Sequence, residues 1–248
     1  MSRVLIAGES WMTQSTHVKG VDSFMTSTYE VGVEPLRRAL AARGHVVTHL
    51  PAHLVPSGFP DDAAALAEYD VVVLSDIGAN SIQLAPAVFE RAQRGSDRLG
   101  ELRDWVADGG GLLMVGGYLS FTGIEGKAAY RNTVLHDVLP VELLPEDDRV
   151  ERPAGVQAVV VDPEHAALGA AGQEWPHLLG YNRVRARTGT AVLATVDGDP
   201  LVAVADFGRG RSAVFTSDCS PHWAPEAFCE DWDGYGEVFG GIVEWLAP

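Results

Sequence analysis

Apolar residues recur along this chain in two rhythms, short unbroken runs and a spacing of three to four, and the rhythms alternate through the first half. The run Arg3-Val4-Leu5-Ile6-Ala7, stopped by Gly8, predicts a strand buried on both faces, as in a parallel sheet. A long polar loop is expected next. Val33, Leu36 and Leu40, with a stop at Gly44, predict an amphipathic helix, and His45 to Leu50 a second strand. The resulting β-α-β unit should cross over with a right hand. Asp61 is placed to cap a short helix ending at Glu68, ahead of a third buried strand, Val71 to Ser75. Pro86 can open another helix, which Gly95-Ser96-Asp97 interrupts or re-caps, and Gly109-Gly110-Gly111 leads into a fourth strand, Leu112 to Val115.

The second half has another texture. Val156 to Val161, Ala191 to Val196, Leu201 to Phe207 and Ser212 to Thr216 are separated by the turn signals Asp197-Gly198-Asp199 and Gly208-Arg209-Gly210, which predicts antiparallel strands. Tyr235 to Leu246 has the pattern of a closing helix. The expected fold class is therefore α/β, a flavodoxin-like three-layer sandwich with a mostly parallel sheet and antiparallel C-terminal strands. No repeat, low-complexity tract or linker divides residues 1–248, so one domain is expected.

Composition narrows the partners. A formal charge of −16, from 34 acidic and 18 basic residues scattered along the chain, argues against a nucleic-acid partner. No apolar run approaches the roughly 18 residues of a membrane span, and Met1 to Ser10 lacks the apolar core of a signal peptide, so no membrane association and a cytoplasmic location are expected. The two cysteines, Cys219 and Cys229, are expected as free thiols.

In open α/β sheets ligands bind beyond the carboxyl ends of the strands, which selects four places. Glu9, Trp11, His17, Lys19 and Asp22 follow the first strand, on a connection long enough to suggest a functional lid over the crevice or, more plainly, a solvated lid or an interface arm whose charges only keep it soluble. Asp76 and Asn80 follow the third strand, Gly116 to Gly123 the fourth, and Asp218 to His222 the last. The fourth strand with Gly116-Gly117-Tyr118-Leu119-Ser120 has the shape of a nucleophile elbow with Tyr118 at the lifted position. Ser120 fits a helix cap better than a nucleophile. Cys219, beside Asp218 and three residues before His222, could form a thiol–imidazole pair, although a buried inert cysteine is the commoner case. Metal-site spacings are absent, and the glycine runs match no phosphate-loop or dinucleotide pattern, so neither metal nor cofactor is expected.

Gly-Gly-Tyr-Leu-Ser-Phe-Thr-Gly-Ile-Glu-Gly-Lys at 116–127, Leu-Pro-Glu-Asp-Asp-Arg-Val at 144–150, Leu-Gly-Tyr-Asn at 179–182 and Thr-Ser-Asp-Cys-Ser-Pro-His-Trp at 216–223 resemble the glutamine amidotransferase-like branch of the class I amidotransferase superfamily. The resemblance runs over nearly the whole length. It implies a flavodoxin-like sheet whose elbow cysteine works with a histidine and a glutamate near the C-terminal end to release ammonia from glutamine. This chain has Tyr118 where that cysteine would stand, and Glu226 follows His222 by four residues, where the family's glutamate follows by two.

A phenol attacks an amide far less readily than a thiolate, so loss of glutaminase activity is expected, with Tyr118 serving either as packing or as a ligand-binding hydroxyl. The leading expectation is a small polar metabolite held in a crevice framed by Glu9, His17, Tyr118 and His222, with the Tyr118 hydroxyl turned toward His222. The alternatives are a hydrolase or amidotransferase using Cys219 or water, with His222 as base oriented by Asp218 or Glu226, and a non-catalytic subunit of a complex. Surface aromatics such as Trp223 and Trp232 suggest a homo-oligomer.

Overall fold

The computed structural model describes residues 1–248. Its strands, in chain order, are β1 (Arg3–Gly8), β2 (Ser10–Lys19), β3 (Asp22–Val31), β4 (Val46–Leu50), β5 (Val71–Ser75), β6 (Gly111–Val115) and β7 (Val141–Leu143). There follow β8 (Arg149–Val156), β9 (Ala158–Val160), β10 (Leu178–Asn182), β11 (Val184–Ala186), β12 (Ala191–Val196), β13 (Asp199–Phe207) and β14 (Gly210–Phe215). Eight of them form the central sheet, in the order β4-β1-β5-β6-β14-β13-β12-β9. The first five are mutually parallel and the last three antiparallel additions. Numbered among themselves, the parallel strands run 2-1-3-4-5, the flavodoxin-like order, whose direction of winding switches between β1 and β5.

Alternation along the buried runs builds the two outer layers. Val4, Ile6, Val71, Val73, Leu113 and Val115 face one core, which the helices Glu34–Ala42 and Gly234–Leu246 cover through Leu36, Leu40, Val238, Phe239 and Ile242. Leu5, Ala7, Val72, Leu74, Leu112 and Met114 face the other, against Leu99, Leu102 and Val106 of the helix Arg98–Ala107. Each strand is therefore apolar on both sides, which explains why its residues form unbroken runs. No helix is long and apolar enough to cross a membrane.

Several expectations are corrected. The long loop after β1 is a hairpin, β2 pairing with β3 in register from Ser10↔Val31 to Lys19↔Asp22. Serine, threonine and scattered large residues there form strands because each strand bonds only to the other, so neither needs an apolar run. Gly20, at φ +66°, supplies the left-handed first position of its two-residue turn. Asp62, not Asp61, caps the helix Ala63–Leu66, accepting from the Ala65 amide, while Asp61 pairs with Arg98. Asp97 does cap Arg98–Ala107, accepting from the Gly100 amide. β14, expected to be antiparallel, runs parallel to β6 and antiparallel only to β13, because it is the seam between the two halves of the sheet. The stretch 156–161 breaks after Val156: β8 leaves to pair with β10, and β9 alone joins the main sheet.

Candidate functional site

At the winding switch between β1 and β5, both strands end in an acidic residue held in left-handed backbone, Glu9 at φ 49° and Asp76 at φ 43°. Such a conformation costs of order 1–3 kcal/mol in a residue other than glycine, and it persists where the surroundings over-determine it, typically at functional sites. β6 ends beside them in Gly116 and Gly117, and Gly117 (φ 145°) carries the turn. A Cβ there would lie 2.8 Å from an Asp76 carboxylate oxygen, so the missing side chain lets the two strand ends close up.

The loop after β6 is pinned from below. Asn182 Oδ1 accepts from the Gly117 amide and its Nδ2 donates to Asp148, whose carboxylate also accepts from the Thr122 and Gly123 amides. These contacts explain the two sequence segments around residues 148 and 182: their polar residues hold the turn at 117–123. Burial lifts the Asp148 carboxyl to about 6 against those hydrogen bonds.

Glu9, Trp11, Asp76, Tyr118, Leu119, Ile124, Asp218, Ser220, Pro221 and His222 line a cavity of about 490 Å³ at this edge. Glu9 is buried, with one carboxylate oxygen accepting from the Ser75 hydroxyl and the other from the Ser220 hydroxyl at 2.6 Å. Burial, helped by repulsion from Asp218 and against the two serine bonds, pushes its carboxyl up to about 8. Burial and the same Asp218 charge raise Asp76 to about 6, although the Leu119 amide donates to it at 2.6 Å. Asp218 is buried too; it accepts from the Cys219 amide and lies 3.4 Å from His222 Nδ1. That carboxylate raises the affinity of His222 for a proton, over the opposing effect of burial.

The expected site residues divide. Glu9, Trp11, Asp76, Tyr118, Asp218 and His222 meet at the cavity. His17, Lys19 and Asp22 do not: they sit at the far end of the hairpin, where His17 stacks on Phe24 and Lys19 lies over the same ring. At about 3.4 Å per residue, His17 is roughly 25 Å from Glu9 along the strand. Asn80 is exposed on the helix Ala79–Gln83, and Glu226 is exposed at the start of Glu226–Cys229. Ser120 is buried and caps no helix; its hydroxyl accepts from the Asp76 amide, helping to hold the left-handed turn. Trp223, expected at the surface, is buried, and Trp232 packs against the core.

Tyr118 packs its ring edge-on to His222, with centroids 4.5 Å apart, but its hydroxyl donates to Glu151 and not toward the imidazole. Glu151 Oε1 is the stronger acceptor, and His222 Nδ1 already faces Asp218. Glu151 also accepts from Trp223 Nε1 at 3.0 Å, tying β8 to the rim of the site. Nothing in the sequence singled it out, because β8 lies outside the main sheet.

Cys219 is turned inward. Its thiol lies 3.4 Å from the Ser75 hydroxyl and 3.5 Å from Glu9 Oε2, and no thiol–imidazole pair with His222 is formed. Complete burial, with the Glu9 and Asp218 carboxyl groups beside it, pushes its thiol well above the usual range. Cys229 is likewise buried and raised to about 11. Glu9, Asp218 and Cys219 bring donor atoms within 4.8 Å of one another, but they could hold a metal only after Glu9 and Cys219 gave up protons that burial keeps in place.

Two solved structures superpose on nearly all of the chain, both of proteins from Salmonella typhimurium described as cytoplasmic. STM3548 is 43% identical over 98% of each chain, with a TM-score of 0.95. STM1381 is 45% identical over 99% of this chain and 100% of its own, also at 0.95. A protein from Parabacteroides merdae described as "Putative thua-like", 14% identical over 98% of this chain and 88% of its own with a TM-score of 0.55, shares the fold. No curated protein matches. The model of the family described as "Putative glutamine amidotransferase" matches residues 3–248, and with the strand order and edge geometry above, the chain belongs to the class I glutamine amidotransferase-like family.

Proposed function

We propose that this protein binds a small polar metabolite bearing amine or hydroxyl groups in the cavity at the carboxyl edge of the sheet, and that it does not release ammonia from glutamine through a cysteine. One observation carries the reading: the cavity receives three carboxyl groups, an imidazole and a serine, while both thiols are buried and neither lines it. Neutral carboxyls donate one hydrogen bond and accept others, and carboxylates only accept, so the lining matches a ligand rich in N–H or O–H groups. Trp11, Leu119 and Ile124 give the apolar wall against which its carbon skeleton would rest. The net charge of −16 opposes a nucleic-acid partner, and the two Salmonella relatives described as cytoplasmic support the same location here.

A second reading, hydrolysis by a bound water, is favoured by the Asp218–His222 contact, in which a carboxylate orients an imidazole facing an open cavity. The two separate by assay. Calorimetric titration with a panel of amines and polyols should give a ligand whose affinity falls at least tenfold in Asp76→Asn, with no product formed on prolonged incubation. A wild-type affinity that survives Asp76→Asn would remove the carboxyl cluster from recognition, and turnover that His222→Ala abolishes would replace the first reading by the second.

A further inference from the structure

The hairpin β2–β3 leaves the body at Glu9 and returns at Gly32, whose amide donates to the Glu9 carbonyl. Its two ten-residue strands hydrogen-bond only to each other in the sheet topology. At about 3.4 Å per residue the arm extends roughly 30 Å. Contacts to the body lie at its root, where Ser10 Oγ accepts from the Ala52 amide and Tyr29 meets His53 edge-on at 5.1 Å. A lone two-stranded hairpin is marginally stable in water, so an arm of this length needs a surface to cover it.

The register sorts the arm's side chains onto two unlike faces. Directly paired residues of antiparallel strands share a face, so one side holds Trp11/Glu30, Thr13/Thr28, His17/Phe24 and Lys19/Asp22, with every ionisable side chain of the two strands except Tyr29. The other side holds Met12/Tyr29, Thr16/Met25, Val18/Ser23 and Ser10/Val31, and carries no charge. Alternation of this kind marks a sheet with one wet and one buried face. Yet Met12, Val18, Met25, Tyr29 and Val31 are 60%, 70%, 73%, 43% and 48% exposed.

We infer that the uncharged face of the arm is a homodimer interface, packed against the same face of a second copy of this chain about a two-fold axis. The area suffices. With roughly 100 Å² of accessible surface on each of the five apolar side chains and about half that on each small polar one between them, the face offers on the order of 700 Å² per copy, close to the ~800 Å² of a standard interface. Charge selects the occupant. Two chains carrying −16 each repel at close approach, and contact through the uncharged face of an arm about 30 Å long joins them with no charge in the interface and the acidic bodies held apart. A two-fold contact is self-complementary, so the face needs nothing beyond the chain itself to be covered.

Sedimentation velocity of the full chain at micromolar concentration tests this. Wild type should sediment at twice the 26.5 kDa of one chain. The double variant Val18→Asp, Met25→Asp, on the uncharged face, should sediment as a monomer with an unchanged far-ultraviolet spectrum. Thr13→Asp with Thr26→Asp places the same charges on the opposite face and should stay dimeric. A monomeric wild type overturns the inference, as does a Val18→Asp, Met25→Asp protein that remains dimeric or a Thr13→Asp, Thr26→Asp protein that dissociates equally. A monomeric wild type that floats with phosphatidylcholine vesicles would assign the face to a lipid surface instead.

Discussion

Replacing Glu9 by glutamine should make the protein less stable in acid and more stable in weak base. The Glu9 carboxyl titrates near 8 in the folded chain and at 4.5 when exposed. Between those values the folded state binds a proton that the unfolded state has released, so stability falls as pH rises through that window. At about 1.4 kcal/mol per unit the limit is about 5 kcal/mol, and half of that is a working figure, since structure and water adjust around a buried charge. Glutamine keeps the shape and has no proton to lose. Its amide turns an N–H toward one of the two serine hydroxyls, Ser75 or Ser220, that donate to Glu9, at a cost of about 1 kcal/mol. At about 2–4 °C per kcal/mol for a chain of this size, Glu9→Gln should melt about 2–4 °C below wild type at pH 5 and, after that deficit is subtracted, about 3–6 °C above it at pH 8.5, so the two melting curves cross. Differential scanning calorimetry at half-unit steps of pH measures this. A melting difference that is the same at pH 5 and pH 8.5 would refute the argument, because it would mean that Glu9 loses its proton equally easily folded and unfolded.

Four further outcomes follow from the site. Purified protein should release no ammonia from glutamine, and any trace should survive Cys219→Ala, as measured by a coupled ammonia assay. Asp218→Asn removes the carboxylate that raises His222, so the imidazole midpoint followed by NMR should move down; an unmoved midpoint would disconnect the pair. Tyr118→Phe keeps the ring against His222 and deletes the bond to Glu151, which should cost about 0.5–1.5 kcal/mol in chemical denaturation. His17→Ala, on the distal hairpin, should leave both the melting temperature and ligand affinity unchanged, and a weakened affinity would revive a lid over the crevice.

The parallel half of the sheet was legible because Val4 to Ala7, Val71 to Ser75 and Leu112 to Val115 are buried on both faces, and such burial leaves unbroken apolar runs. The arm was not, because a hairpin whose strands pair only with each other has no core to write that signature. Its signal was Gly20-Val21 between stretches rich in threonine, serine and large apolar residues, the mark of a two-residue hairpin turn. Acidic residues after β1 and β5 were visible as Glu9 and Asp76, but their left-handed backbone was not, since it comes from the strands crowding at the winding switch. The inward turn of Cys219 and the capture of the Tyr118 hydroxyl by Glu151 depend on contacts between segments far apart in the chain, which no local pattern encodes.

The central claim is that the carboxyl cluster with His222, and no thiol, recognises the ligand. Ligand-observed NMR with a mixture of small amines, polyols and amino acids tests it on wild type, on Asp76→Asn with His222→Ala, and on Cys219→Ser. The account predicts at least one bound component for wild type, retained by Cys219→Ser and lost from Asp76→Asn with His222→Ala at an unchanged fold. Binding that disappears with Cys219→Ser while persisting without Asp76 and His222 would contradict it.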